Sequence, residues 1–198
     1  MFRRRLLAAT RPAVETWDYV WDYTMGNPTQ YGFVERFLND GELEVRSDGV
    51  LMKTPYFASL SGYYMPIQTI SHGVMEVTAQ ITSASMPIRE GFRMCVSNGN
   101  TGTQICVRRD GARQFALYNG TTGDNQDTRL LDELPSPNGI HVYRLELTPD
   151  ASSYWLDGVP LSIGVSHATQ YANTCWLGAQ TMPTQVLLRG IKLRIGGI

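Results

Sequence analysis

Three features of the sequence predict an all-β sandwich or jelly roll. Short runs of alternating apolar and polar residues recur roughly every 8–15 residues. Clusters of Gly, Asn, Pro and Ser separate them, and nothing between them carries convincing helical periodicity. A self-similar period of about 20–50 residues is missing, which disfavours a propeller or solenoid. The chain has 198 residues, 42% of them hydrophobic. That suits one globular domain, which at this size buries about 70% of its unfolded-chain surface.

The first 16 residues are basic and carry no β pattern, with Arg3, Arg4, Arg5 and Arg11 among them. A short helix is compatible with this segment only as far as Arg11, because Pro12 disfavours its continuation. Leu6 to Ala9 is shorter than the apolar stretch of about 7–15 residues that a secretory signal needs. No run approaches the ~20 apolar residues of a membrane span. The expectation is a protein made and kept in a cytoplasm or released by lysis, with no membrane partner. We divide the chain into an attachment arm, 1–16, and a sandwich domain, 17–198, expected to fold alone.

From Trp17 onward the predicted strands are, in order, Glu42 to Arg46, Tyr56 to Tyr64, Gly73 to Thr82, Gly91 to Ser97, Gln104 to Arg108, Gln114 to Tyr118, Val142 to Thr148, Ser153 to Leu156, Cys175 to Ala179 and Gln185 to Ile195. Between His141 and Leu161, Tyr143, Leu145 and Leu147 alternate with Arg144 and Glu146, which gives one apolar and one wet face. Pro149-Asp150 kinks that run, and Asp157-Gly158 ends the next with a dipeptide suited to positive φ. In the hairpin Phe92–Ser97 and Gln104–Arg108, the apolar residues share a face in a register that sets Cys95 opposite Cys106. Two readings are open for that pair: a strained cross-strand disulfide, or two free thiols, which a reducing compartment favours.

Charge excludes little. Lys plus Arg total 17 against 18 Asp plus Glu, a net charge of −1, so nothing draws the whole chain toward nucleic acid or an anionic membrane. Of the basic residues only Lys53 and Lys192 are lysine, and arginine is spread through arm, strands and loops. The three cysteines are too few for a disulfide scaffold and lack the spacing of a zinc site.

His141-x-Tyr-Arg-Leu-Glu-Leu followed by Ser153-Tyr-Trp-Leu-Asp-Gly-Val resembles the central hairpin of concanavalin A-like and laminin G-like jelly rolls. Gly73-Val-Met-Glu-Val-Thr is similar to an early strand of these sandwiches, and Leu187-Leu-Arg-Gly-Ile-Lys-Leu-Arg-Ile to their last. The resemblance runs from about Trp21 to Ile198. Trp21-Asp-Tyr-Thr-Met-Gly, after a Met-Phe-Arg-Arg-Arg-Leu-Leu start, also resembles the opening of small tailed-phage and prophage structural proteins that carry such a domain.

What the resemblance implies is a concanavalin A-like β-sandwich in a non-enzymatic virion protein, used for decoration, as a fibre, or for adhesion to host-surface glycans. The alternative is a bacterial carbohydrate-binding protein or a glycoside hydrolase of the same fold. A hydrolase needs two carboxylates, about 5–5.5 Å apart for retention. The Glu-x-Asp-x-x-Glu strand of this fold's β-glucanases is absent, and Glu76 and Glu146 each stand alone as solvated residues or arginine partners. No nucleophile elbow, phosphate loop or metalloprotease motif occurs.

Sugar recognition needs flat aromatic rings and planar hydrogen-bonding groups. The candidates are Arg144, Glu146 and Trp155 on the wet face, with Tyr63, Tyr64 and Tyr118 at its rim. Asp124, Asn125 and Asp127 offer hard oxygen ligands suited to calcium, in a stretch whose plainer reading is a solvated turn. Two readings are open for Arg3, Arg4, Arg5 and Arg11: a tether to other virion proteins or to packaged nucleic acid in a multi-copy or homo-oligomeric assembly, or a solvated tail. Direct nucleic-acid contact is not expected outside the arm.

Overall fold

Alternation decides which side of each strand is dry, and the long strands obey it. In a computed structural model the described residues are 15–56, 59–84, 92–97, 101–110, 112–121, 129–133, 139–166, 172–180 and 183–196. In chain order the strands are β1 (Tyr19–Asp22), β2 (Val34–Leu38), β3 (Glu42–Arg46), β4 (Gly49–Thr54), β5 (Leu60–Ile70), β6 (Gly73–Ala84), β7 (Phe92–Ser97), β8 (Thr101–Asp110), β9 (Ala112–Thr121), β10 (Arg129–Glu133), β11 (Ile140–Leu147), β12 (Ala151–Leu156), β13 (Val159–Ser166), β14 (Ala172–Gln180) and β15 (Thr184–Ile195). Two 3-10 turns, Tyr23–Met25 and Pro28–Tyr31, link β1 to β2. Among the described residues no helix is long and apolar enough to cross a membrane.

These strands form two antiparallel sheets. One, eight-stranded, runs β13-β12-β11-β6-β15-β4-β3, with β1 also on β15; the other, seven-stranded, runs β10-β9-β8-β7-β14-β5-β2. The long β15 serves two partners along one edge: β4 pairs with Thr184–Leu188 and β1 with Gly190–Leu193. The inward residues of both sheets build one core, in which Trp21, Tyr63, Phe92, Tyr143 and Tyr154 are the largest buried side chains. Two side-chain contacts are among those that tie the layers. The rings of Phe92 and Tyr143 lie 5.1 Å apart, and the hydroxyls of Thr103 and Tyr154 are 2.6 Å apart. Trp21, which opens the domain, is fixed by its indole N–H donating to the Gly26 carbonyl at 2.8 Å.

The all-β expectation holds, and every predicted strand has an observed counterpart. Five strands were not predicted: β1, β2, β4, β10 and β13. β4 is buried from Gly49 to Met52, so it lacks the polar alternation that marks a half-wet strand. β13 carries Pro160, which an outermost strand tolerates because its free side needs no N–H partner.

The β7–β8 register corrects the expected cysteine pairing. Cys95 faces Gln104 and Cys106 faces Arg93, a slip of two residues that keeps every side chain on its face. Hydrophobic pattern cannot detect such a slip. Cys95 is a buried thiol outside any disulfide. Cys175 is also free; it points into the core, where burial pushes its thiol up.

Candidate functional site

The outer face of the eight-stranded sheet is assembled from even-numbered positions of β11 and β6. β11 lies between β6 and β12, with Arg144 opposite Glu76 on one side and Trp155 on the other. Because cross-strand partners share a face, these three residues stand in a row, and β15 adds Lys192 opposite Glu76. The Arg144 guanidinium lies 5.4 Å from the Trp155 ring centre and 5.7 Å from that of Trp17, so two indoles flank it. Glu76 accepts from Lys192 at 2.7 Å and lies 3.7 Å from Arg144. An open depression of about 320 Å³ is lined here by Glu76, Val142, Arg144, Trp155 and Gly158.

The rim of that depression is a built turn. Asp157 and Gly158 have φ of 50° and 77°, the paired positive values of a two-residue hairpin turn. The Asp157 carboxylate accepts from the Val142 N–H at 2.8 Å and lies 2.7 Å from His141 Nδ1. One residue thus joins the turn after β12 to the start of β11.

The chain leading into β1 crosses this face. Asp18 donates its backbone N–H to the Leu193 carbonyl at 2.9 Å, and its carboxylate accepts from Ile195 N–H at 2.6 Å. That anchor places Glu15 over three cations. Its carboxylate receives two hydrogen bonds from Arg144, at 2.8 and 2.9 Å, and one from Arg194 at 2.9 Å. The Arg144 hydrogen bond holds the Glu15 carboxyl below the ordinary range, helped by the charges of Arg194 and Lys192. Trp17 adds a ring 5.5 Å from the Lys192 ammonium.

The sequence candidates fall in different places. Arg144, Glu146 and Trp155 are together on the wet face, all half-buried. Tyr63 is fully buried in the core, its hydroxyl without a partner among the described residues, which removes it from the rim. Tyr64 is half-buried on the outer side of the other sheet, packed with Leu60, Cys95 and Trp176. The expected rim position of both tyrosines is therefore corrected. The next-door alternation of Tyr63 and Tyr64 did not reveal which one points inward. Tyr118 belongs to β9, which lies in the other sheet, so it too is placed away from Arg144. Asp124, Asn125 and Asp127, and Arg3, Arg4, Arg5 and Arg11, lie outside the described residues. Among the described residues no group of three or more His, Cys, Asp or Glu is placed to hold a metal ion.

Sequence reasoning missed Glu15, Trp17, Lys192 and Arg194. The signal for the last two was present, since Lys192 and Arg194 alternate with Ile191, Leu193 and Ile195 and so share one wet face. Glu15 and Trp17 had no signal, as they straddle the expected boundary between arm and domain.

Comparison with solved structures decides the fold. The carbohydrate recognition domain of Emp46p, in its potassium-bound form, superposes with a TM-score of 0.59 at 11% identity, covering 90% of this chain and 100% of that one. The fold is that of the concanavalin A-like jelly rolls. A conserved carbohydrate esterase from the Shiga toxin-encoding bacteriophage phi24B matches at TM-score 0.63 and 10% identity over 92% of this chain and 99% of its own. The Crh5 transglycosylase in complex with NAG matches at 0.66 and 12%, covering 89% and 83%. No protein-family model matches the chain, and no curated protein sequence matches it.

Proposed function

We propose that this concanavalin A-like domain is a non-catalytic carbohydrate-binding module that receives saccharide on the outer face of its eight-stranded sheet. The observation that carries the reading is the half-exposed Trp155 ring, stacked beside Arg144 at an open depression. A flat ring takes the apolar face of a sugar, while a guanidinium and a carboxylate on the same floor take its hydroxyls. The structural neighbours, a carbohydrate recognition domain, a carbohydrate esterase and a transglycosylase, agree with such a ligand.

Hydrolysis is not favoured by the same geometry. Glu76, which lines the depression, and Glu15, which lies against Arg144, are both ion-paired with cations, whereas a glycosidase keeps one carboxyl protonated as its acid. The setting we propose is a phage particle, where a multi-copy decoration, fibre or adhesion protein is held to other virion proteins by the basic segment ahead of Glu15. The phage origin of one structural neighbour and the arginine-rich start of the chain support that setting.

A glycan panel probed with the wild-type protein and with Trp155→Ala tests the reading. Binding to at least one glycan, lost in the variant, is expected. Release of reducing ends from the panel, abolished by Glu76→Gln, would replace the binding module with an enzyme.

A further inference from the structure

We infer that the site is selective for saccharides bearing a carboxylate, and that Glu15 occupies the carboxylate position until such a ligand displaces it. This rests on the saccharide-binding reading above and adds a ligand class and a competitor to it.

The contact around Glu15 has the form of a recognition site for a carboxylate. Arg144 offers both ends of its fork to the two oxygens of Glu15, and Arg194 bonds one of them from the next strand but one. Bidentate guanidinium geometry is specific for planar anions such as carboxylates. Among the described residues Arg194 has no other ion pair, and Lys192 is shared with Glu76. Lifting Glu15 away would leave Arg144, Lys192 and Arg194 facing Glu76 and Glu146, an excess of one positive charge beside two indole rings. A neutral sugar leaves that excess uncompensated. A uronic or nonulosonic acid supplies the missing carboxylate and presents its ring to Trp155.

Glu15 is suited to leave. It precedes β1 and is held by its side chain rather than by strand pairing, since the β1–β15 ladder begins at Tyr19. Its side chain is 32% exposed, so solvent already reaches the pair and its attraction is modest. An intramolecular competitor lowers apparent affinity by the fraction of molecules in which the site is free.

Isothermal titration of the full chain with trigalacturonate, a hyaluronan hexasaccharide and sialyllactose, each beside its carboxyl-reduced counterpart, tests this. Glu15→Gln is expected to tighten at least one acidic probe by about tenfold, and the reduced counterparts by less than about twofold. Adding Arg194→Gln is expected to abolish the gain. Glu15→Ala is the second variant, and circular dichroism establishes that each is folded. Equal effects of Glu15→Gln on acidic and reduced probes, or no acidic binding in any folded variant, overturns the inference. If a reduced probe nonetheless binds in a Trp155-dependent way, the binding-face reading stands without it; if no probe binds at all, both fall.

Discussion

Arg144 and Trp155 are direct cross-strand partners on β11 and β12, and the guanidinium lies 5.4 Å from the indole centre. Both project from the wet face, so the ring contributes little to the core beneath it. Trp155→Ala is expected to lower stability by about 1–2 kcal/mol, from partial burial and the cation–π contact. A buried tryptophan would cost about 3–5 kcal/mol. A urea denaturation curve separates these values, and a cost in the higher range would place Trp155 in the core.

The Glu15 pairs make a pH-dependent contribution. The folded protein holds this carboxyl below its ordinary 4.5, so the unfolded chain binds its proton more readily. The contribution is present above about pH 4.5 and disappears as pH falls through the lower folded value. Wild type should therefore exceed Glu15→Gln in stability at pH 7, and the two should converge toward pH 3. Chemical denaturation at both pH values measures it, and a gap that persists in acid would contradict the assignment.

Gly158 has φ of 77° with nothing within 4 Å of the position a Cβ would take. Backbone conformation alone opposes substitution there. Gly158→Val should cost about 1–2 kcal/mol, and Gly158→Asn distinctly less, because Asn tolerates the left-handed region. Thermal unfolding of the two variants makes the comparison; equal losses would point to a steric cause that the structure does not contain.

Tyr154 and Thr103 bridge the two sheets through their hydroxyls, and both residues are buried. Removing one hydroxyl strands the other away from water. Tyr154→Phe is expected to cost about 1–3 kcal/mol, read as a lower denaturation midpoint with an unchanged slope. A neutral result would mean that Thr103 finds another partner.

Alternation within single strands was sufficient to predict the β class and the wet faces of β11 and β12, and the Asp157-Gly158 dipeptide was sufficient to predict its turn. Each of these depends on neighbours in sequence: side-chain direction repeats every two residues, and a two-residue turn sets its own φ. Tertiary structure decided whatever depends on which strands lie side by side. It chose the β7–β8 register, since a two-residue slip exchanges no faces, and it sent Tyr63 inward and Tyr64 outward. It also placed β11 beside β6 and β6 beside β15. That order gathers Glu15, Glu76, Arg144, Lys192 and Arg194 from distant parts of the chain onto one patch, because interstrand hydrogen bonding, blind to sequence distance, brings opposite charges within reach.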